Sequence, residues 1–449
     1  MTSNERVVVI GTGLAGVRLA RRLGELGTPV TLIGEEEHRP YNRVLLAEVL
    51  AGRYGPEVIA LPAPGEPVRA RVTGIDRAAR TVTCADGSVI GYGRLVLATG
   101  SQPVLPPLRG LFTAGTPETA ETPETAETPE TAETAETAET ADSANTADTA
   151  DTAARELPEG VHAFRTMDDC LGLDKALRPG VRAVVIGGGL LGVSAARALA
   201  VRGARVVLAQ QSERLMEHRL DPAASELVER HLTGLGVEVR TECRVRDVRR
   251  AGGAVRSVRL ADGYALDAEA VVLACGARPR TGLARSAGLE VREGVVVDDE
   301  LRTSDPSVHA VGDCVQHAGT VYGLAAPALE QADALAALLA GDTGARYTGT
   351  RSLTRLTLAG RLGPFDPAAF DLAAFGEAEA LPGDDVVRLT DATRGTHRKV
   401  VVREGRLVGG VLVGELGTVG ALARAWEGTE PLPAAGGPLL HLLTHDGGS

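Results

Sequence analysis

Lysine is nearly missing from this 449-residue chain: of 47 basic residues only Lys175 and Lys399 are lysines, and the others are arginines. Aromatic residues are scarce too, at 3% of the sequence with one tryptophan, so an interior must be built from Ala, Val and Leu. The five cysteines (Cys84, Cys170, Cys243, Cys275, Cys314) lie far apart and form no Cys-x-x-Cys. That spacing excludes a disulfide framework, a zinc site and a cysteine-ligated iron–sulfur cluster, and no metal is expected. No apolar run approaches the roughly 20 residues that cross a bilayer. A strand pattern starts at Val7 with no charged and apolar leader before it, so a cytoplasmic protein without a membrane partner is expected. Positive charge in excess is also lacking. The net charge is −12, and residues 116–153 contain eight Glu, three Asp and no Lys or Arg. The rest of the chain is close to neutral and carries no basic footprint for nucleic acid.

What is present starts with that acidic segment. TPE and TAE triplets recur with a period of three, so no face of a 3.6-residue helix becomes apolar, and Pro117, Pro123 and Pro129 interrupt any helix. Such a segment cannot offset its ordering entropy by burial. A disordered acidic insertion over 112–158 is expected, within a chain long enough for about three domains.

On either side of it the same grammar appears twice. The first copy is VVVI (7–10), Gly11-Thr12-Gly13-Leu14-Ala15-Gly16, an Ala/Leu-rich stretch, then PVTLIGEE. The second is RAVVI (182–186), Gly187-Gly188-Gly189-Leu190-Leu191-Gly192, another Ala/Leu-rich stretch, then ARVVLAQQ. Each reads as strand, glycine turn, helix, strand, over about 30 residues, which is the dinucleotide-binding βαβ unit. The first glycine permits the tight turn, and the second lets backbone N–H groups approach a pyrophosphate. The third lets the helix pack closely on the strand, with its N-terminus toward the negative charge. One such motif is weak evidence; two, each framed by a buried strand and a helix, point to two cofactors used against each other.

Each unit is followed by an alternating strand meander, at 68–101 with an Ala85-Asp86-Gly87 turn, and at 255–279. VHAVGDC (308–314) reads as a buried strand ending in Gly312-Asp313, residues 324–340 as a helix, and 398–414 as a hairpin in a small α+β tail.

Two glycine turns separated by Ala98-Thr99-Gly100 and followed by Cys275-Gly276 and Val311-Gly312-Asp313 form an order that resembles the FAD- and NAD(P)H-dependent pyridine nucleotide oxidoreductases. PYNRVLLAEVL (40–50), FRTMDD (164–169), ERLMEHRLD (213–221), VYGLAAPALEQA (321–332) and YTGTRSLTRL (347–356) are most similar to the flavoprotein part of assimilatory NAD(P)H nitrite reductases and to stand-alone nitrate/nitrite reductase electron-transfer subunits. Rubredoxin and ferredoxin reductases are near cousins.

The resemblance implies an α/β fold with two Rossmann-like domains of the glutathione-reductase type plus a C-terminal α+β domain. FAD would occupy 1–111 with 281–341, NADH or NADPH would occupy 159–280, and 342–449 would form the third domain. It also implies a redox-protein acceptor (a nitrite or nitrate reductase catalytic subunit, rubredoxin or ferredoxin) and allows a homodimer. Around FAD it places Gly11, Gly13, Leu14, Ala15 and Gly16 at the pyrophosphate, and Glu35 or Glu36 at the adenosine ribose. Arg43, Ala98, Thr99 and Gly100 would approach the flavin, Val72 the adenine, and Gly312 and Asp313 the ribityl and phosphate region. Pro327 and Glu330 would open the helix facing the isoalloxazine. Around the nicotinamide nucleotide it places Gly187, Gly189, Leu190, Leu191, Gly192, Gln210 and Gly276. No side chain need act as acid or base, because hydride passes directly between stacked cofactors.

Three departures bear on function. Residues 38–55 contain no cysteine, which excludes the redox pair of the disulfide reductases. Relatives usually carry Glu where Ser194 stands, sometimes paired with a lysine beside the flavin, and no lysine occurs before Lys175. Gln210 replaces the usual carboxylate after the second strand, which favours NADH, while Arg202, Arg205 and Arg214 keep NADPH open. A rubredoxin or ferredoxin reductase is the alternative within enzymes. A flavin-binding regulatory protein with a decayed nicotinamide site is the alternative outside them. Deleting 116–153 and joining the flanks should leave flavin content and flavin reduction unchanged; a loss of either would show that the segment takes part in packing.

Overall fold

The computed structural model describes residues 6–112, 157–351, 353–358, 370–428 and 443. The acidic repeat expected to be a disordered insertion lies outside the described residues.

Four parallel strands begin the first layer: β1 (Val7–Ile10), β2 (Val30–Gly34), β3 (Val68–Arg69) and β4 (Arg94–Leu97), with Val308–Ala310 arriving from far down the chain. Their order is Val308–Ala310, β4, β1, β2, β3. In this register Val9 lies between Leu32 and Val96. All four residues of β1 are buried, as a central parallel strand covered on both faces requires. Helix α1 (Leu14–Glu25) buries Val17, Leu19, Ala20 and Leu23 against this sheet. The crossover from β2 to β3 carries a short turn at Arg43–Leu45 and helix α2 (Leu46–Leu50).

Helix α3 (Met167–Ala176) leads into a second layer built to the same plan. It comprises β5 (Arg182–Ile186), helix α4 (Leu190–Val201), β6 (Arg205–Ala209), helix α5 (Pro222–Gly234), β7 (Glu238–Arg240) and β8 (Ala270–Leu273). Its order is β7, β6, β5, β8, Val161–His162. β5 thus takes the place of β1 and β8 that of β4. Both meanders are present as three-stranded antiparallel sheets, at Val72–Asp76, Thr81–Cys84 and Val89–Gly91, and at Val245–Ala251, Ala254–Leu260 and Ala265–Asp267. Helix α6 (Ala325–Leu339) covers the first layer beside α1.

One feature of the packing crosses the sequence order. Tyr41, Leu46, Val49, Leu50 and Ile59, all from the β2–β3 crossover, belong to the same apolar cluster as Val193, Ala196 and Leu199 of α4. The first layer therefore lends a helix to the core of the second.

The tail forms a five-stranded antiparallel sheet, ordered Leu353–Leu358, Phe370–Gly376, Arg406–Val413, Thr396–Arg403, Asp385–Asp391. Leu372, Ala374, Val411 and Val413 pack on the second layer, while Phe375, Val400 and Leu412 pack on Leu422 and Trp426 of the helix Val419–Glu427. Polar groups also cross this interface. Asp221, 3% exposed, caps α5 by accepting from the Ala224 N–H at 3.1 Å. Its other oxygen lies 3.2 Å from His397 Nε2 and 3.6 Å from Lys399 Nζ, both buried.

Burial pushes the Asp221 carboxyl up, but the His397 and Ala224 hydrogen bonds and the nearby Lys399 ammonium outweigh it and hold it at about 2. A depressed carboxyl contributes stability above its unfolded value, near 3.8, that is lost as the pH falls toward 2. Asp221→Asn keeps the helix cap but removes the charge. It should destabilise the protein by about 2 kcal/mol at pH 7, and the difference in melting temperature should vanish between pH 4 and about pH 2. A difference unchanged across that range would show that the carboxylate charge contributes nothing to the interface.

Candidate functional site

At the carboxyl end of β1 the backbone is packed onto itself. Gly11 has φ +118°, and a Cβ there would collide with the Ala98 carbonyl oxygen; a Cβ on Gly16 would collide with the Gly11 carbonyl. Gly13 is the N-cap of α1, with no side-chain cap, and a Cβ there would meet nothing within 4 Å. The second unit repeats this. Gly187 (φ +107°) abuts the Ala274 carbonyl, Gly192 abuts Gly187, and Gly189 caps α4 in front of open space. Two glycines of each triplet thus serve close packing, and the middle one leaves the N-terminal turn of the helix, at Leu14-Ala15 or Leu190-Leu191, approachable. That is the cradle a pyrophosphate requires, so the residues present fit a dinucleotide at both turns.

Other segments converge on the first turn. A Cβ on Gly312 would lie 3.0 Å from the Ala15 Cβ, and the Gly312 N–H donates to Gln331 Oε1 of α6 at 2.8 Å. Asp313 Oδ2 accepts from Ser101 Oγ at 2.8 Å and from Arg165 Nη2 at 2.9 Å. Ala98-Thr99-Gly100 ends β4, with Thr99 Oγ1 donating to the Arg280 carbonyl at 2.9 Å. Arg165 also donates to Ser101, and its carbonyl accepts from Arg43 Nη1 at 3.2 Å. Arg43 is ion-paired with Glu36 and bonded to the Tyr41 hydroxyl at 3.0 Å; that hydroxyl donates to Glu36 Oε2 at 2.6 Å. A continuous polar chain therefore runs from Asp313 through Arg165 and Arg43 to Glu36. Burial, reinforced by the Glu36 carboxylate, pushes the Tyr41 phenol above its ordinary value, so it stays a neutral donor.

A cleft of about 300 Å³ opens at the end of β2, lined by Thr12, Gly34, Glu36, His38, Leu61 and Arg69. Glu36 faces it with both oxygens already engaged. Glu35, directly after β2, is exposed and pairs with Arg280 at 2.5 Å. Val72 is half-buried two residues beyond Ala70, whose N–H bonds the Gly34 carbonyl at 2.9 Å. Pro327 is buried in the first turn of α6, whereas Glu330 is exposed and bonded to Thr350 Oγ1 at 2.6 Å. The α6 side chain that reaches the glycine loop is Gln331. Arg165, Ser101, Tyr41 and Gln331 were not singled out from the sequence. The FRTMDD signature contains Arg165, and the buried Phe164 before it takes φ +42°, an unusual backbone setting for a bulky residue.

At the second turn Gln210 Oε1 accepts from the Gly188 N–H at 2.7 Å, so its oxygen braces the turn and its amide nitrogen remains as a donor. Ser194 is buried and bonded back to the Leu190 carbonyl at 2.8 Å. The Gly276 carbonyl accepts from the Val104 N–H at 2.9 Å, tying the end of β8 to the first half of the chain. Two arginines considered for a 2′-phosphate lie elsewhere. Arg205 starts β6, at the end opposite the glycine turn, whereas nucleotides bind beyond the carboxyl ends of parallel strands. Arg202 donates to the Leu50 carbonyl at 3.0 Å and pairs with Asp174 at 2.8 Å. Burial pushes the Cys275 and Cys314 thiols up, which suits core residues rather than thiolate nucleophiles. Among the described residues no group of three His, Cys, Asp or Glu side chains comes together to hold a metal, and no helix is long and apolar enough to cross a membrane.

Two dinucleotide cradles of one design on a single chain define a protein built to hold two dinucleotides. Residues 5–332 match the pyridine nucleotide-disulphide oxidoreductase family, and the chain belongs to it. It is 29% identical over 92% of its length to the assimilatory nitrate reductase electron transfer subunit of Bacillus subtilis, covering 48% of that protein. It is 31% identical over 90% of its length to the large subunit of a nitrite reductase [NAD(P)H] from Klebsiella oxytoca, covering 38% of it. The chain thus spans less than half of these relatives. A ferredoxin reductase structure from Rhodopseudomonas palustris superposes with TM-score 0.72 at 25% identity, over 92% of this chain and 91% of that one.

The middle and last glycines of the first turn should respond differently to a methyl group. Gly16→Ala should lower stability by about 1–3 kcal/mol, because neither backbone can yield. Gly13→Ala should keep the melting temperature of the flavin-free protein and lower flavin content. Equal melting temperatures for the two variants would contradict the packing described.

Proposed function

We propose that the first turn holds FAD, that the second takes NADH in preference to NADPH, and that the electrons leave to a separate redox protein in assimilatory nitrate or nitrite reduction. The observation that carries this reading is the convergence of Gly312-Asp313 and Arg165 on the first of the two duplicated cradles, with no counterpart at the second among the described residues. A flavin, when bound, accepts hydride from reduced nicotinamide and can release electrons singly. The protein's task is to orient and to exclude water, since the reacting atoms must come within roughly 3–3.5 Å. Gly11, Gly13 and Gly16 would give backbone N–H groups to the FAD pyrophosphate, with Leu14 and Ala15 opening the helix toward it. Asp313, anchored by one oxygen, would take the ribityl region beside Thr99 and Gly100. Glu35 or Glu36, both following β2, would accept the adenosine ribose hydroxyls; Glu36 lines the cleft at the strand end.

The preference for NADH rests on charge. Gln210 is neutral, Arg214 lies 3.9 Å from Glu213, and Arg240 is bonded to Glu238 at 2.7 Å. A 2′-phosphate would meet cations already paired. The nitrate and nitrite assignment is supported by the names of the relatives. A ferredoxin or rubredoxin reductase is the second reading, favoured by the fold match along nearly the whole length of a ferredoxin reductase.

Anaerobic mixing with each nucleotide tests the reading. NADH should bleach the flavin at least about tenfold faster than NADPH, about 1.4 kcal/mol in the barrier. Denaturation should release FAD, and Asp313→Ala should retain markedly less of it. A flavin that neither nucleotide bleaches would favour the regulatory alternative that Ser194 and Gln210 motivate.

A further inference from the structure

Among the described residues Arg197 is the bulkiest side chain with essentially no exposure, and it is charged. It lies on α4, seven residues beyond Leu190 and so roughly 10 Å along the helix from the glycine turn. A charge in the interior is costly unless paired, and here Nη2 donates to Glu48 Oε1 at 2.5 Å. Glu48 belongs to α2, the helix that the first layer lends to the second, and its other oxygen lies 3.4 Å from Arg53. At the far end of the same contact, Arg202 donates to the Leu50 carbonyl at 3.0 Å. Helix α2 follows the Arg43–Leu45 turn, whose first residue belongs to the polar chain that ends at Asp313. Helix α4 follows directly on Gly189. The α2–α4 contact is therefore a short mechanical link between the two cradles.

We infer that the Arg197–Glu48 pair is a positioning device that sets the depth and angle at which the nicotinamide cradle meets the flavin cradle. This rests on the two-cofactor reading above. The physical reason lies in directionality. Around the pair, α2 and α4 meet through Ala47, Leu50, Val193, Ala196 and neighbouring small apolar side chains, which would tolerate sliding of one helix along the other. Stability alone does not call for an ion pair there, since an apolar pair of similar volume is often neutral or stabilising at buried sites. A guanidinium–carboxylate contact instead fixes one helix against the other at one atom pair. Hydride transfer is sensitive to such placement, because a displacement of about 1 Å can cost roughly a hundredfold in rate.

The test replaces the pair by an apolar one, Glu48→Leu with Arg197→Met, in the full chain loaded with flavin. Melting temperature, flavin content and the NADH dissociation constant should stay close to wild type, the last within about threefold. Flavin reduction should slow about tenfold or more, equivalent to about 1.4 kcal/mol, and the long-wavelength absorbance of stacked nicotinamide and flavin rings should weaken. Glu48→Gln, which keeps an oxygen acceptor for Arg197, should recover most of the rate. Wild-type rate and wild-type absorbance in the double variant would overturn the inference and leave the pair a merely structural contact. If the double variant does not accumulate, Glu48→Ala, at the partly exposed end of the pair, must show the same slowing with unchanged NADH binding or the inference fails. A wild-type flavin that no nucleotide bleaches is a different result, which removes the two-cofactor reading itself.

Discussion

Backbone resting on backbone, with no Cβ between, is the constraint on which the rest of the molecule depends. Gly16 sits on the Gly11 carbonyl, and Gly11 sits on the Ala98 carbonyl. Helix α1, strand β1 and the end of β4 are thereby pressed into one small volume. The contact of Gly312 with Ala15 draws in a fourth segment, 297 residues further along the chain. A methyl group at either tight position would separate these layers, and with them the loop that carries Asp313. The cradle is therefore a product of packing first, and polar contacts then trim it. The second cradle repeats the packing through Gly187, Ala274 and Gly192.

Scarcity of lysine shapes how the cradles are joined. No lysine occurs before Lys175, and the basic contacts that join the segments around the first cradle are made by guanidiniums, whose planar fork can serve several acceptors at once. Arg165 reaches both Ser101 and Asp313, and Arg43 reaches Glu36, Tyr41 and the Arg165 carbonyl. A lysine at either place would supply a more mobile point charge and a weaker brace. These arginines connect segments more than a hundred residues apart in sequence, so the polar chain becomes complete only when the two layers dock.

That separation also explains what was legible in the sequence. Strand, turn and helix periodicities are local, so both βαβ units, both meanders, the helix at 325–339 and the 398–414 hairpin could be read directly. Glycine spacing revealed the cradles because each role is set by neighbours in the same unit. Arg165 and Gln331 could not be found this way, because their partners, Asp313 and Gly312, lie 148 and 19 residues off and nothing local marks the direction of a side chain. The bracing role of Gln210 was hidden for the same reason, since a residue after a strand can face the ligand or the turn. Arg202 and Arg205 were drawn toward the nucleotide by proximity in sequence alone. The lending of α2 to the second layer was invisible too, because an apolar helix carries no label for the core it joins.

The two cradles differ in how they present polar atoms, and the difference bears on their tasks. In the first, Asp313 is anchored through Oδ2 by two donors, which orients its second oxygen without neutralising the group entirely. Glu36 spends both oxygens on Arg43 and Tyr41, so its charge goes into rigidity, while Glu35 pairs with Arg280. Among the described residues the second cradle has no counterpart of the Gly312-Asp313 loop, and the residue after its strand is a neutral amide whose oxygen accepts from the Gly188 N–H. Charge-assisted bonds are roughly twice as strong as neutral ones. A site lined by braced carboxylates and arginines therefore suits a cofactor that stays, whereas a site offering mainly backbone N–H groups and one amide suits a nucleotide that must leave after each transfer. On the proposed reading the asymmetry is required, because an NADH site as tightly furnished as the FAD site would be limited by product release.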